Sequence, residues 1–208
     1  LEYLSLSRCR NIGDLSFLKG MPLRHLDLEG CDEITNLSPL EGMPLEWLRF
    51  GGKRISDLGP LRGMPLKTLY VGRRHCRTLS PLEGMPLKHL TFTDNGWVTD
   101  ISPLADMPLK SLTLEKLYKI KDLSPLRGKG LESLTLYMMR NLDDLSPLAG
   151  MPLRYLSLRE CTKISDITPL ESMPLKDINL EGTPDITDLS PLRGIETLST
   201  LKGKDPSL

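Results

Sequence analysis

The sequence predicts an α/β solenoid, with short parallel strands on one face, 3₁₀ or irregular turns on the other, and no helix beyond about two turns. Three observations carry that prediction. First, one phrase recurs along the chain: its opening leucines are Leu1, Leu23, Leu45, Leu66, Leu87, Leu109, Leu131, Leu153 and Leu175, nine units of 22 residues except two of 21. Second, unit positions one, four and six are apolar and alternate with polar residues, the period of a strand with one buried face. Third, positions twelve, fifteen and eighteen add a second apolar set, Ile12, Leu15 and Leu18 in the first unit and Ile186, Leu189 and Leu192 in the last. Six aliphatic side chains are too few to bury within one unit. They suffice once units stack at roughly 4.8 Å, the strand-pairing distance.

After each strand comes a turn of the form Asp122-Leu-Ser-Pro-Leu-Arg-Gly128. Ser124 suits the cap of a one-turn helix, Pro125 its first position and Gly128 a left-handed exit. The following Met-Pro forces the chain extended into the next strand. Met21, Met43, Met64, Met85, Met107, Met151 and Met173 form a column in step with the leucines, so they are expected to pack in the core. Asp100, Asp122, Asp144, Asp166 and Asp188 resemble a row of paired carboxylates. Each precedes a Ser-Pro or Thr-Pro turn, where accepting backbone N–H bonds is the expected role, rather than catalysis or calcium binding.

The phrase I-x-D-L-S-P-L, as in Ile120–Leu126, together with L-x-x-L-x-L, resembles the short bacterial class of leucine-rich repeats, that of internalins and of a protein phosphatase regulatory subunit. The resemblance covers essentially the whole chain. The Gly-Met-Pro-Leu variant also resembles arrays attached to bacterial serine/threonine kinases, although no kinase signature is present. It implies a right-handed curved solenoid whose parallel sheet lines a concave, protein-binding face. The expected organisation is a single domain over 1–208, with nine repeats in 1–194 and a degenerate tenth unit and tail in 195–208. Such repeats usually carry an inward Asn or Cys at position nine, where Cys9, Cys31 and Cys161 stand. Cys76 replaces an aliphatic residue of an apolar column. All four are expected to be buried, unbridged thiols, which leans toward a reducing, cytoplasmic setting. Departures from the pattern are Phe17 in place of Pro and Lys129-Gly130 in place of Met-Pro. The start at Leu1 without Met, and the lack of a polar cap at either end, suggest an excised segment.

Lys plus Arg and Asp plus Glu are equal at 27 each, giving no whole-chain field to attract nucleic acid or an anionic membrane. No apolar run is long enough to span a bilayer. No Cys-x-x-Cys or Cys/His spacing suggests zinc, and no cofactor is expected.

Function is sought where units differ and face solvent. Position three reads Tyr3, His25, Trp47, Thr68, His89, Ser111, Ser133, Tyr155 and Asp177, and position five includes Arg49 and Tyr70. Large residues gather in the first five units. The two short units lie there too, each having lost one residue after the strand, at Gly51-Gly52-Lys53-Arg54 and Gly72-Arg73-Arg74-His75. The expected partner-binding surface is therefore Trp47, Arg49 and Tyr70, with Tyr3, His25, Lys67, Arg73 and His89 around them. A second, weaker grouping is Tyr137, Met138, Tyr155 and Arg159. Lys67, Lys88 and Lys110 stack at position two and are expected to be a solvated edge balanced by Glu115 and Asp94. His25 and His89 lie three strands apart, roughly 14 Å, and cannot share a metal. His89 neighbours Ser111 and Thr68, but no carboxylate is placed to orient its ring. The expected function is noncatalytic recognition of a protein. The alternatives are a structural spacer and a substrate-recruiting segment of a larger enzyme such as a bacterial serine/threonine kinase.

Overall fold

The computed structural model describes residues 1–52, 54–72 and 76–204. Ten strands form one sheet: β1 (Tyr3–Ser5), β2 (His25–Glu29), β3 (Trp47–Gly51), β4 (Thr68–Val71), β5 (His89–Thr93), β6 (Ser111–Glu115), β7 (Ser133–Tyr137), β8 (Tyr155–Ser157), β9 (Asp177–Asn179) and β10 (Thr200–Lys202). They pair in chain order and in parallel. Position three always meets position three, as in His25 with Trp47 and Trp47 with Thr68. Each repeat thus adds one strand, and every column of the repeat becomes a line across the solenoid. The tenth strand forms although its unit is degenerate in sequence.

Between strands, nine 3₁₀ turns run from Ser16–Leu18 to Ser190–Leu192 among the described residues. The leucine ending each turn is buried, as Leu40, Leu82 and Leu126 are. One continuous core joins the strand leucines, the turn leucines and the methionine column. Among the described residues the first unit has a neighbour on one side only, so Leu4, Leu6, Ile12 and Met21 are partly buried and Leu1 is exposed.

The turn is capped differently from the expectation. No Ser or Thr at the turn start caps it; the residue two places earlier does. Asp122 Oδ1 accepts the Ser124 N–H at 2.7 Å while Oδ2 accepts its hydroxyl at 2.7 Å. The same backbone bond is made by Asp14, Asn36, Asp57, Thr78, Asp100, Asp144, Asp166 and Asp188. An aspartate two places before the turn reaches a free N–H as an Asx turn does, and the serine hydroxyl becomes its second donor. Gly128 leaves the turn at φ +71°, as expected.

The thiols also depart from expectation at one site. Cys31 and Cys161 are buried, and their Sγ atoms donate to the carbonyls of Leu6 and Leu136 in the preceding unit at 3.0 and 3.2 Å. Burial raises the Cys31 thiol and pushes Cys161 up to about 11. Cys76 is buried too, but Cys9 is exposed. Cys31 and Cys161 are covered by the unit before them, whereas the described residues place none beside Cys9 on that side.

A candidate protein-binding face

Strand alternation turns positions three and five away from the core, and the register then sets the aromatic residues side by side. Tyr3 stacks on His25 with ring centroids 4.4 Å apart, His25 on Trp47 at 3.8 Å, and Trp47 meets Tyr70 at 5.5 Å with a 51° tilt. Four rings on β1 to β4 thereby make one ladder on the open side of the sheet. It begins in column three and crosses to column five at Tyr70, because β4 carries Thr68 in column three. Tyr3 is 58% exposed, and the other three rings are half-buried by one another.

Arg49 pairs with Tyr70 in register but sends its guanidinium to Glu29, Nε to Oε2 at 3.0 Å. That pair stands between two clefts. One, of about 420 Å³, is lined by Trp47, Tyr70, Gly51, Gly72, Thr91, Thr93 and Asp94. The other, of about 590 Å³, is lined by Ser7, Arg8, Arg10, Gly30 and Asp32. The first cleft exists because the two short units place glycine where Glu29 and Thr93 stand in their neighbours. At Gly51 an added Cβ would lie 3.0 Å from Glu29 Oε2. In the third unit the left-handed residue after the strand is also lost. Position eight is left-handed at Arg8, Gly30, Asp94, Lys116, Met138, Glu160 and Gly182, whereas Gly52 is not.

The other predicted members sit less centrally. His89 is exposed and separated from the ladder by Thr68, its register partner. Lys67 flanks the ladder but is bound to Glu46, which also holds Arg24. The Lys67 hydrogen bond, helped by both cations' charges, draws the Glu46 carboxyl below its ordinary range. Arg73 lies outside the described residues. The lysine column is thus balanced by other acids than Glu115 and Asp94: Glu46 takes Lys67, and Glu132 takes Lys110 at 3.2 Å. Position two of adjacent units is simply nearer than positions seven and eight. Asp94 instead holds Lys116 at 2.7 Å. In the second grouping, Arg159 lies 5.2 Å over the Tyr137 ring and pairs with Glu181.

A feature not found from the sequence is Trp97, 53% exposed, with Lys119 Nζ 4.8 Å and Arg77 Cζ 5.9 Å from its ring. It stands in a loop column without periodicity, so only Lys119, at the same loop position in the next unit, could have pointed to it; Arg77 lies just past the buried column in the unit before. Among the described residues no group of three or more His, Cys, Asp or Glu is arranged to hold a metal. No helix among them is long and apolar enough to cross a membrane.

No protein-family model and no curated protein sequence matches the chain. Among solved structures, it is similar to an internalin (inlF) of Listeria monocytogenes at 25% identity, covering 93% of this chain and 78% of that one with a TM-score of 0.59. It also aligns with internalin C2 of the same organism at 27% identity, over 66% of this chain and 71% of that one, with a TM-score of 0.49. The internalin likeness agrees with a protein-interaction module in general. With ten parallel strands in one open sheet, a 3₁₀ turn in every full unit among the described residues and this internalin-like course, the chain folds as a leucine-rich repeat solenoid.

Proposed function

We propose that the chain is a noncatalytic recognition module that binds a protein through the open face of its sheet, centred on Trp47 and Tyr70. The observation that carries this is the aromatic ladder. Four rings on adjacent strands remain open to solvent, although nothing in the core requires large side chains in those columns. Trp, Tyr and Arg are the residue types that most often dominate interface energetics, best where they are held rigid before binding. Stacking holds Trp47 in this way, and the cleft beside it offers room for a partner side chain.

The test is affinity for a partner captured by cross-linking and pull-down. Trp47→Ala should weaken binding by about 2 kcal/mol or more, roughly thirtyfold, while Tyr155→Ala changes it little. Because Trp47 stacks on two neighbours, the variant should also lose about 1 kcal/mol of stability for each ring contact, so affinity is measured well below its melting temperature. Unchanged affinity at Trp47, or an equal loss at Tyr155, would overturn this placement.

A further inference from the structure

We infer that the loop edge at the carboxyl ends of β4 to β7 is a second docking surface, for an extended acidic segment of a protein, carried by Arg77, Trp97, Tyr118, Lys119 and Arg140. This surface is separate from the aromatic ladder and stands or falls independently of it.

Cations and rings alternate along the edge. Lys119 and Arg77 flank the Trp97 ring from the two neighbouring units, and Arg140 lies 5.6 Å from the Tyr118 ring. Among the described residues, none of these three cations has a carboxylate partner. Elsewhere on the same edge the contrast is plain, since Arg54 is neutralised by Glu33 at 3.0 Å. A ring face holds a cation by its quadrupole without consuming the positive charge. The N–H donors therefore remain available to an incoming anion.

The platform is braced from below. The Tyr118 ring packs over Gly96, where an added Cβ would fall 3.1 Å from its Cδ2. The Tyr118 carbonyl accepts the Asn141 amide at 2.5 Å, and Asn141 Oδ1 in turn accepts from Lys163 at 3.3 Å. Trp97 has no comparable cover and is about half exposed to solvent.

Size and charge select the ligand. Three strand spacings, roughly 14 Å, separate β4 from β7, the length of about four residues of extended chain. An indole between flanking cations suits an apolar side chain between acidic ones. The overall charge balance of 27 against 27 provides no broad field for a polyanion, which disfavours nucleic acid.

The experiment titrates the chain with a fluorescently labelled peptide of alternating Glu and Leu, its Gln-for-Glu counterpart, and a single-stranded oligothymidine, by anisotropy at low and moderate salt. The acidic peptide should bind, weaken with salt, and lose at least tenfold affinity in Trp97→Ala and in Lys119→Glu. Both variants should keep the wild-type melting temperature, and Phe17→Ala, exposed in a distant turn, should bind as wild type does. No binding of the acidic peptide, unchanged binding in Lys119→Glu, or equal binding of the Gln peptide would overturn the proposal. Tighter binding of the oligothymidine would overturn the assignment to an acidic protein segment.

Discussion

His25 lies face to face with Trp47, their ring centroids 3.8 Å apart and their planes within 6°. Burial by these neighbours lowers the His25 pKa from 6.5, and the charge of Asp27 only partly opposes it. The folded chain therefore binds this proton more weakly than the unfolded chain does. The stability it contributes is complete above pH 6.5 and is lost as pH falls through the lower folded value. Melting temperature should decline between pH 7 and pH 5 in the wild type and decline less in His25→Phe, which keeps a stacked ring without titrating. Equal pH slopes in the two proteins would refute the assignment.

The aspartates at the turns set the response to stronger acid. Hydroxyl and backbone donors of the residue two places on hold Asp14, Asp100, Asp122 and Asp166 below the ordinary carboxylate range, and for Asp188 the backbone donor is the larger cause. Their folded pKa values are depressed, so their contribution is present above about pH 3.8 and lost as pH falls below it. Asn36 already makes the same backbone contact at 2.8 Å without a titrating group. Replacing the five aspartates by Asn should therefore shift acid unfolding, followed by circular dichroism, to lower pH. An acid midpoint that does not move would rule out this origin.

The strand register and the six inward columns could be read from the sequence because each is repeated nine times, and packing dictates the residue at each. Tyr3, His25, Trp47 and Tyr70 could be placed together for the same reason: period and pairing fix where a column runs. What escaped was whatever depends on a neighbour rather than on position in the unit. The exposure of Cys9 depends on which unit, if any, packs against it, and the partner of Lys67 on a choice among nearby acids that no spacing decides. Trp97 has no repeated counterpart at all.

Thiol chemistry should distinguish the end of the array from its interior. Cys9 is exposed, whereas Cys161 is buried, donates to a carbonyl and is pushed up to about 11. Since the thiolate is the reactive species, a disulfide reagent at pH 8 should label Cys9 promptly in the folded protein and leave Cys161 unlabelled until denaturant is added. Mass spectrometry showing early label on Cys161 would contradict the packing described.

Two departures from the repeat, 23 residues apart, compensate each other. In the fifth unit Ala105-Asp106 stands where six other units have a left-handed glycine exit, and Ala105 stays helical at φ −58° and ψ −39°. In the next unit Lys129 replaces the core methionine, and its Nζ donates to the Ala105 carbonyl and, at 2.8 Å, to the Met107 carbonyl. Burial lowers the Lys129 pKa while the charge of Asp106 partly restores it. Lys129→Met alone should leave two partly covered carbonyls short of a donor and cost about 1–3 kcal/mol. Asp106→Gly alone leaves the lysine half-buried without its nearby carboxylate, and should also destabilise. The double variant brings back the glycine exit and the core methionine together, so its loss should be smaller than the sum of the single losses, with a coupling of about 0.5 kcal/mol or more. Urea denaturation of the four proteins measures this directly. Additive losses would show that Lys129 and Asp106 act independently and that the lysine is merely tolerated in the methionine column.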